Sequence, residues 1–164
     1  MNVQEATTRR LPDLKGRYLP ENCRETINTI LKETYGYEQF RNLEIYDDLS
    51  KGKEKLCISQ GQLIENVILE AEKAWKSETQ VDNILLTAPT GSGKSLLFQL
   101  PAIYLGKEYN LLTIVVSPLK ALIVDQVESL QELGYMRVAY ASSDLSPEPV
   151  SYTHLRAHET GRNL

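Results

Sequence analysis

The apolar residues of this chain recur at helical spacing in several stretches, each bounded by polar or turn residues. This spacing predicts amphipathic helices, because side chains three and four positions apart share one helix face. The predicted helices cover residues 21–33, a stretch from Ser59, residues 94–105 and residues 119–133. We expect Gly36 and Gly134 to cap the first and last of them, and Pro101 to kink or shorten the third.

The apolar face of each predicted helix identifies the candidate core. Its members are Ile27, Ile30 and Leu31 in the first helix, Leu63, Ile64, Val67, Ile68, Ala71, Ala74 and Trp75 in the second, and Leu119, Leu122, Ile123, Gln126, Leu130 and Leu133 in the last. We expect the second helix to pack against a sheet. At its start, Ser59 followed by Gln62 has the form of a capping box.

Three short apolar segments, at residues 84–86, 111–116 and 137–140, separate the later helices and read as strands. The segment at 111–116 is continuous and β-branched, as in a parallel strand that is buried on both faces. Strand, helix, strand, helix and strand in this order predict an α/β fold with an open parallel sheet and right-handed crossovers. A ligand is then expected at the carboxyl ends of the strands.

A glycine-rich segment, TAPTGSGKS at residues 87–95, lies between a predicted strand and a predicted helix, which is the arrangement of a phosphate-binding loop. Gly91 and Gly93 let successive N–H groups point at a polyphosphate, and the helix adds its positive N-terminal end. Lys94 suits the outer phosphates, and the Ser95 hydroxyl suits Mg²⁺. The expected ATP and Mg²⁺ site comprises Thr90, Gly91, Ser92, Gly93, Lys94 and Ser95. The alternative is a plain glycine turn before a helix.

The composition is that of an ordinary globular protein: of 164 residues, 41% are hydrophobic and 24% are charged. The formal net charge is −4. We therefore expect any contact with DNA or RNA to occur in a local groove, because the protein as a whole is not basic. We see no apolar run that could span a bilayer and no signal peptide, and therefore expect no membrane contact. Cys23 and Cys57 are too few for a disulfide framework and indicate a reducing, cytoplasmic setting.

Three blocks of sequence closely resemble the first motor lobe of RecQ-type helicases, a group within helicase superfamily 2. The blocks are TAPTGSGKSLLFQLPA at residues 87–102, VVSPLKALIVDQV at 115–127 and AYASSDLSPE at 139–148. Their order and separation also fit this family, and the resemblance is strong over residues 59–148. Upstream, YGYEQFR at residues 35–41 is similar to the aromatic segment that leads into the family's adenine-reading motif.

The resemblance also implies a domain organisation. Residues 59–149 correspond to an incomplete motor lobe with a RecA-like P-loop fold, a parallel sheet flanked by helices. Residues 1–58 form a mainly helical N-terminal extension. Residues 150–164, VSYTHLRAHETGRNL, resemble the translation of a transposon-end adapter from sequencing-library preparation, and we interpret them as a non-native tail on a truncated gene product. The alternative is a divergent native end.

Single residues carry over where the motifs match. Lys94 and Ser95 match the family's phosphate and Mg²⁺ residues, and Gln62 matches the glutamine that reads the adenine edge. The usual family pattern lacks residues 42–58, and a capping-box role for Gln62 stays open as an alternative. The motif that contacts the single-stranded DNA backbone is matched by Ser117, Pro118, Leu119 and Lys120. For Lys120 the alternative is an ordinary solvated helix start.

The resemblance implies an ATP-dependent DNA helicase as the parent protein, acting on single-stranded DNA or a junction of single and double strands. The family's acidic Asp-Glu pair and arginine finger have no match after Ser117. We therefore expect no catalytic residue in this chain and an inactive fragment. Two alternatives stay open: a superfamily 2 translocase or remodeller that does not unwind DNA, and a nucleotide-binding module without a nucleic-acid partner.

Overall fold

The computed structural model describes residues 18–46, 55–76, 83–86 and 91–142. The chain divides into two compact units, Met1–Thr113 and Ile114–Leu164. The elements are α1 (Glu21–Tyr35), β1 (Asn42–Tyr46), β2 (Lys55–Ser59), α2 (Gln60–Trp75) and α3 (Leu96–Tyr109) in the first unit, and α4 (Lys120–Glu132) in the second. Within the described ranges, no helix has the length and apolar character needed to cross a bilayer.

Helix α3 forms the centre of the first unit. Its sequence, LLFQLPAIYLGKEY, is apolar on nearly all sides in its first ten positions, which is typical of a helix with neighbours on more than one face. Both α1 and α2 pack against it. The most deeply buried apolar side chains of the three helices are Ile27, Ile30, Leu31, Ile64, Ile68, Leu100 and Tyr104. The core of this unit is therefore a three-helix contact rather than a helix-on-sheet contact.

The predictions for α1 are confirmed. Ile27, Ile30 and Leu31 are its buried residues, as the helical period indicates. Gly36 ends the helix in the left-handed region with φ +70°, and its N–H donates to the Lys32 carbonyl at 3.0 Å. This helix and its cap thus follow from local sequence alone.

Helix α2 agrees with the prediction at its start and departs from it at its end. Ser59 caps the helix, but its Oγ accepts from the Gly61 N–H at 3.2 Å, so the observed cap is not the predicted capping box with Gln62. Ala74 and Trp75, which were expected in the core, are exposed. The side of the last turns that faces the core carries Glu72 instead, whose carboxylate is held by a tyrosine of α3.

Helix α3 runs through Pro101 without ending there, so the early end predicted at this residue does not occur. A proline in a helix interior removes one donor and costs about 3 kcal/mol. Buried residues before and after Pro101 hold the helix in the core on both sides of it, and this burial outweighs the cost. The helix ends at Tyr109, and its C-cap, Asn110, adopts a left-handed conformation with φ +54°.

The sheet in the described residues is not the predicted one. Strands β1 and β2 pair antiparallel, with Asn42 opposite Ser59 and Tyr46 opposite Lys55. The described residues of the inserted stretch 42–58 therefore belong to an antiparallel strand pair, which we call the hairpin. It is the only sheet in the described part of the chain, and the predicted parallel sheet is not confirmed. The segments 84–86, 111–116 and 137–140 are not strands there.

The three segments differ from the prediction for a physical reason. A strand exists through hydrogen bonds to a neighbouring strand, and an apolar, β-branched composition does not by itself supply that neighbour. Without a paired neighbour their side chains are largely open to solvent: Leu85 is 93% exposed, Leu112 is 86% and Val116 is 89%. Composition identified segments suited to a sheet but could not provide their partners.

In the second unit, α4 ends at the predicted glycine. Gly134 is left-handed with φ +84°, and the Tyr135 N–H donates to the Leu130 carbonyl at 2.9 Å, as in a Schellman motif. The predicted apolar face is covered only in part. Leu130 is buried, whereas the exposed members of that face include Leu119, Leu122 and Leu133.

Truncating the core should destabilise the first unit far more than the same change at its surface. Leu100 is 0% exposed and Leu112 is 86% exposed. We expect Leu100→Ala to lower the free energy of unfolding by about 2–5 kcal/mol through lost burial and a cavity. The matched control, Leu112→Ala, should change it by no more than about 0.5 kcal/mol. Urea unfolding followed by circular dichroism measures both, and equal losses would contradict the assignment of α3 to the core.

A tyrosine and a carboxylate link the ends of α3 and α2. The Tyr109 hydroxyl donates to Glu72 Oε1 at 2.6 Å. This hydrogen bond, together with burial and the negative charge of the carboxylate, raises the pKa of Tyr109 to about 12. Burial likewise raises the pKa of the neighbouring Tyr104 above its ordinary value. Both hydroxyls therefore stay protonated in the folded protein at pH values where a free tyrosine ionises.

The raised pKa of Tyr109 predicts a loss of stability in alkali. A tyrosine of the unfolded chain ionises near pH 10, whereas folded Tyr109 ionises near pH 12. Its contribution is therefore complete below about pH 10 and is lost as the pH rises from about 10 to about 12. We expect Tyr109→Phe to be less stable at pH 8 and to show a smaller decline over the alkaline range. Chemical unfolding from pH 8 to pH 12 tests this, and parallel curves for the two proteins would contradict it.

Candidate nucleotide site

The described half of the phosphate loop, residues 91–95, leads directly into α3. Gly91 and Gly93 have φ values of +81° and +77°, a region that residues with a side chain rarely adopt. The Gly93 carbonyl accepts from the N–H of Leu96, the first residue of α3, at 3.2 Å. Thr90 and the rest of 87–90 lie outside the described residues. The local backbone is thus the tight turn that the glycine spacing predicts.

The chemical groups of this turn fit a polyphosphate with Mg²⁺. Lys94 is exposed, and Ser95 stands at the N-terminal end of α3, where the helix dipole is positive. Ser92 Oγ is buried and has no hydrogen-bond partner among the described residues. A buried hydroxyl normally has such a partner. In this loop, a phosphate oxygen of a bound nucleotide is a suitable acceptor for it.

Sequence reasoning missed Gln60, a buried residue whose side chain forms a hydrogen bond with the phosphate loop. Its Nε2 donates to the Ser92 carbonyl at 3.0 Å, and its Oε1 accepts from the Arg41 N–H at 3.2 Å. The side chain is 2% exposed. The helical period predicted no buried role for a glutamine at this position. The only signal in the sequence is that Gln60 lies within residues 59–62, SQGQ, the segment that ends in Gln62.

The chain segments on either side of the hairpin lie next to each other. The Gln60 N–H donates to the Arg41 carbonyl at 2.9 Å, one step beyond the pairing of Asn42 with Ser59. A Cβ on Gly61 would lie 2.6 Å from Phe40 Cδ2, so only glycine allows the ring to approach α2 this closely. The hairpin therefore leaves YGYEQFR and SQGQ in contact despite the insertion.

Gln62 lies in the first turn of α2, directly after this contact. Its side chain is half-buried, and Ser59 directs its cap bond to Gly61 instead. Gln62 therefore lies two residues after Gln60, whose side chain contacts the phosphate loop. Its contact with a base stays a prediction.

The predicted DNA-contacting residues belong to the second unit. Ser117 Oγ accepts from the Leu119 N–H at 3.3 Å, which forms a local turn before α4. Lys120 is the first residue of α4 and is exposed, as is Pro118. These four residues, Ser117 to Lys120, thus form one continuous surface segment at the positive end of a helix.

Comparison with known proteins identifies the family of the chain. Residues 68–156 match the family described as DEAD/DEAH box helicase. The chain is 34% identical over 125 residues to the ATP-dependent DNA helicase RecQ of Synechocystis sp., a match that covers 76% of this chain and 20% of that protein. The corresponding proteins of Bacillus subtilis and Haemophilus influenzae are 30% identical over 133 residues and 33% identical over 109 residues.

The latter two matches cover 81% and 66% of this chain, and 17% and 13% of the relatives. The chain thus spans about a fifth or less of the length of these proteins. No solved structure matches it. Because the helicase match extends over more than half of the sequence, the chain belongs to the DEAD/DEAH box helicase family, and its motor region is similar to that of RecQ-type DNA helicases.

Proposed function

We propose that this chain supplies the nucleotide-binding part of an ATP-dependent DNA helicase motor of RecQ type. The observation that carries the proposal is the turn at residues 91–95, with two left-handed glycines, a lysine and a serine at the start of a buried helix. Its occurrence in a chain of the DEAD/DEAH box helicase family supports ATP as the ligand of this turn over a purely structural bend. In this proposal the whole protein couples ATP hydrolysis to unwinding of duplex DNA.

The phosphates of ATP would lie against the loop and the N-terminus of α3. The positive end of α3 and the loop amides would favour the negative charge of the phosphates, and the Lys94 ammonium would bind the outer phosphates. The Ser95 hydroxyl would bind Mg²⁺, which neutralises phosphate charge when it is present. Ser92 Oγ adds a hydroxyl donor from inside the loop.

The base of the nucleotide would be read by Gln62. A carboxamide presents one donor and one acceptor, which match the edge of adenine. The close contact of Phe40 with Gly61 holds the aromatic segment beside the start of α2, next to Gln62. The observed cap, from Ser59 to Gly61, leaves the Gln62 side chain available for this role.

Single-stranded DNA would be bound through residues 117–120. The turn before α4 and the Lys120 ammonium offer backbone and side-chain donors to phosphate oxygens, which position a strand without reading its sequence. Such a local contact suits a protein whose net charge is −4. DNA-stimulated ATP hydrolysis by a longer form of the protein would separate this proposal from a nucleotide module without DNA, and strand displacement would separate it from a translocase.

Removing the loop lysine should weaken nucleotide binding. We expect Lys94→Ala to reduce the binding free energy of MgADP by about 1.5–3 kcal/mol, the range for a lost hydrogen bond to a charged group. The matched control is Lys107→Ala, which removes an exposed lysine near the other end of the same helix. Calorimetry measures all three affinities. Equal affinities for the wild type and Lys94→Ala would show that this loop is not the site.

The chain as it stands should bind ATP without hydrolysing it. Phosphoryl transfer needs a positioned water and charge stabilisation, and an arginine finger alone contributes about 10³–10⁵ in rate. The sequence after Ser117 holds no adjacent Asp-Glu pair to orient the water. We expect phosphate release with excess single-stranded DNA to equal that of Lys94→Ala. Release above this control would contradict the prediction and reveal a catalytic acid elsewhere in the chain.

A further inference from the structure

We propose that Gln60 is a positioning residue of the nucleotide site, which sets the direction of a phosphate-binding N–H without itself touching the nucleotide. The inference rests on the proposed ATP site and adds to it a residue for which the sequence predicted no role. The Gln60 side chain connects Arg41, the residue before β1, to Ser92 of the phosphate loop. The geometry of the loop therefore depends on α2 as well as on the loop's own glycines.

The carboxamide of Gln60 has its orientation determined by its partners. The Arg41 N–H can only donate and the Ser92 carbonyl can only accept, so Oε1 must face Arg41 and Nε2 must face Ser92. At 2% exposure the two hydrogen bonds are shielded from water, and an unpaired amide or carbonyl at this depth would be costly. The amide therefore holds both backbone segments in one arrangement.

The bond to Ser92 controls the next peptide unit. A trans peptide is planar, and its C=O and N–H point in opposite directions. Because Gln60 draws the Ser92 carbonyl toward α2, the Gly93 N–H is directed away from α2. In a phosphate loop, an inward-pointing N–H of this kind is what binds the polyphosphate. Gln60 thus pre-orients one of the loop's donors.

The fit between Gln60 and the loop is also steric. A Cβ on Gly93 would lie 2.6 Å from Gln60 Nε2, a distance that a real methyl group cannot occupy. The φ of +77° favours glycine at this position, and a side chain there would also have to displace the Gln60 amide from its place. Gly91 shares the left-handed conformation, but nothing lies within 4 Å of the corresponding position.

Two substitutions at Gln60 separate its two hydrogen bonds. Gln60→Met keeps the length of the side chain and removes both bonds. Gln60→Glu keeps the acceptor for the Arg41 N–H and removes the donor to the Ser92 carbonyl. The control is Gln131→Met, a change at an exposed position in the second unit. All are made in the full chain, and thermal unfolding identifies any variant that fails to fold.

The first measurement needs no nucleotide. In ¹⁵N–¹H spectra, we expect both Gln60 variants to shift the Gly93 amide resonance. The Arg41 amide proton should move upfield in Gln60→Met, which removes its acceptor, and should not move upfield in Gln60→Glu, which keeps it. Gln131→Met should move neither. An unchanged Gly93 resonance in folded Gln60→Glu would overturn the positioning role, whatever the protein binds.

The second measurement is the affinity for MgADP by calorimetry, with Lys94→Ala alongside. We expect both Gln60 variants to bind about tenfold more weakly than the wild type. If Lys94→Ala weakens binding while folded Gln60→Met and Gln60→Glu bind like the wild type, the inference about Gln60 fails and the ATP site stands. If Lys94→Ala binds like the wild type, the proposed ATP site fails, and the role of Gln60 in nucleotide binding fails with it.

Discussion

The burial of α3 between α1 and α2 is the constraint on which the first unit depends. Its apolar faces require neighbours on more than one side, and α1 and α2 provide them. Two side-chain hydrogen bonds then align the three helices, from Tyr35 to Gln99 at 3.3 Å and from Tyr109 to Glu72 at 2.6 Å. Because α3 begins where the phosphate loop ends, its packing also places the positive helix end that a phosphate group requires.

The hairpin shows how a segment can be inserted between two parts of the proposed nucleotide site without separating them. An antiparallel pair brings its two ends together, so the chain returns to the point that it left. Here the return is completed by the backbone bond between Gln60 and Arg41 and by the contact of Phe40 with Gly61. The aromatic segment therefore lies beside the start of α2.

The two proposed binding regions both lie at the start of a helix, one buried and one more exposed. The phosphate loop sits at the N-terminus of the buried helix α3, and the segment 117–120 sits at the N-terminus of the more exposed helix α4. A helix start concentrates donors and positive potential, which suits phosphate from a nucleotide or from a DNA backbone. Burial distinguishes them: a tightly held loop suits one compact ligand, and an open segment suits a strand that moves across it.

The sequence by itself determined the features that depend on residues a few positions apart. The buried face of α1, the caps at Gly36 and Gly134 and the glycine turn at 91–95 all follow from local spacing and from the conformational freedom of glycine. The family resemblance was also readable from the motifs, since each motif is a short continuous segment.

Only the tertiary structure decided the features that join distant residues. The antiparallel hairpin, the burial of Gln60 and its bond to Ser92, and the exposure of Trp75 and Val116 each depend on what lies opposite in space. A glutamine can make its hydrogen bonds to solvent or to a buried backbone group, and an apolar run can pair with a strand or stay unpaired. The local conformational preference of the residue is the same in both cases. Which alternative occurs is therefore determined by the packing around α3 and by the partners that the fold brings near.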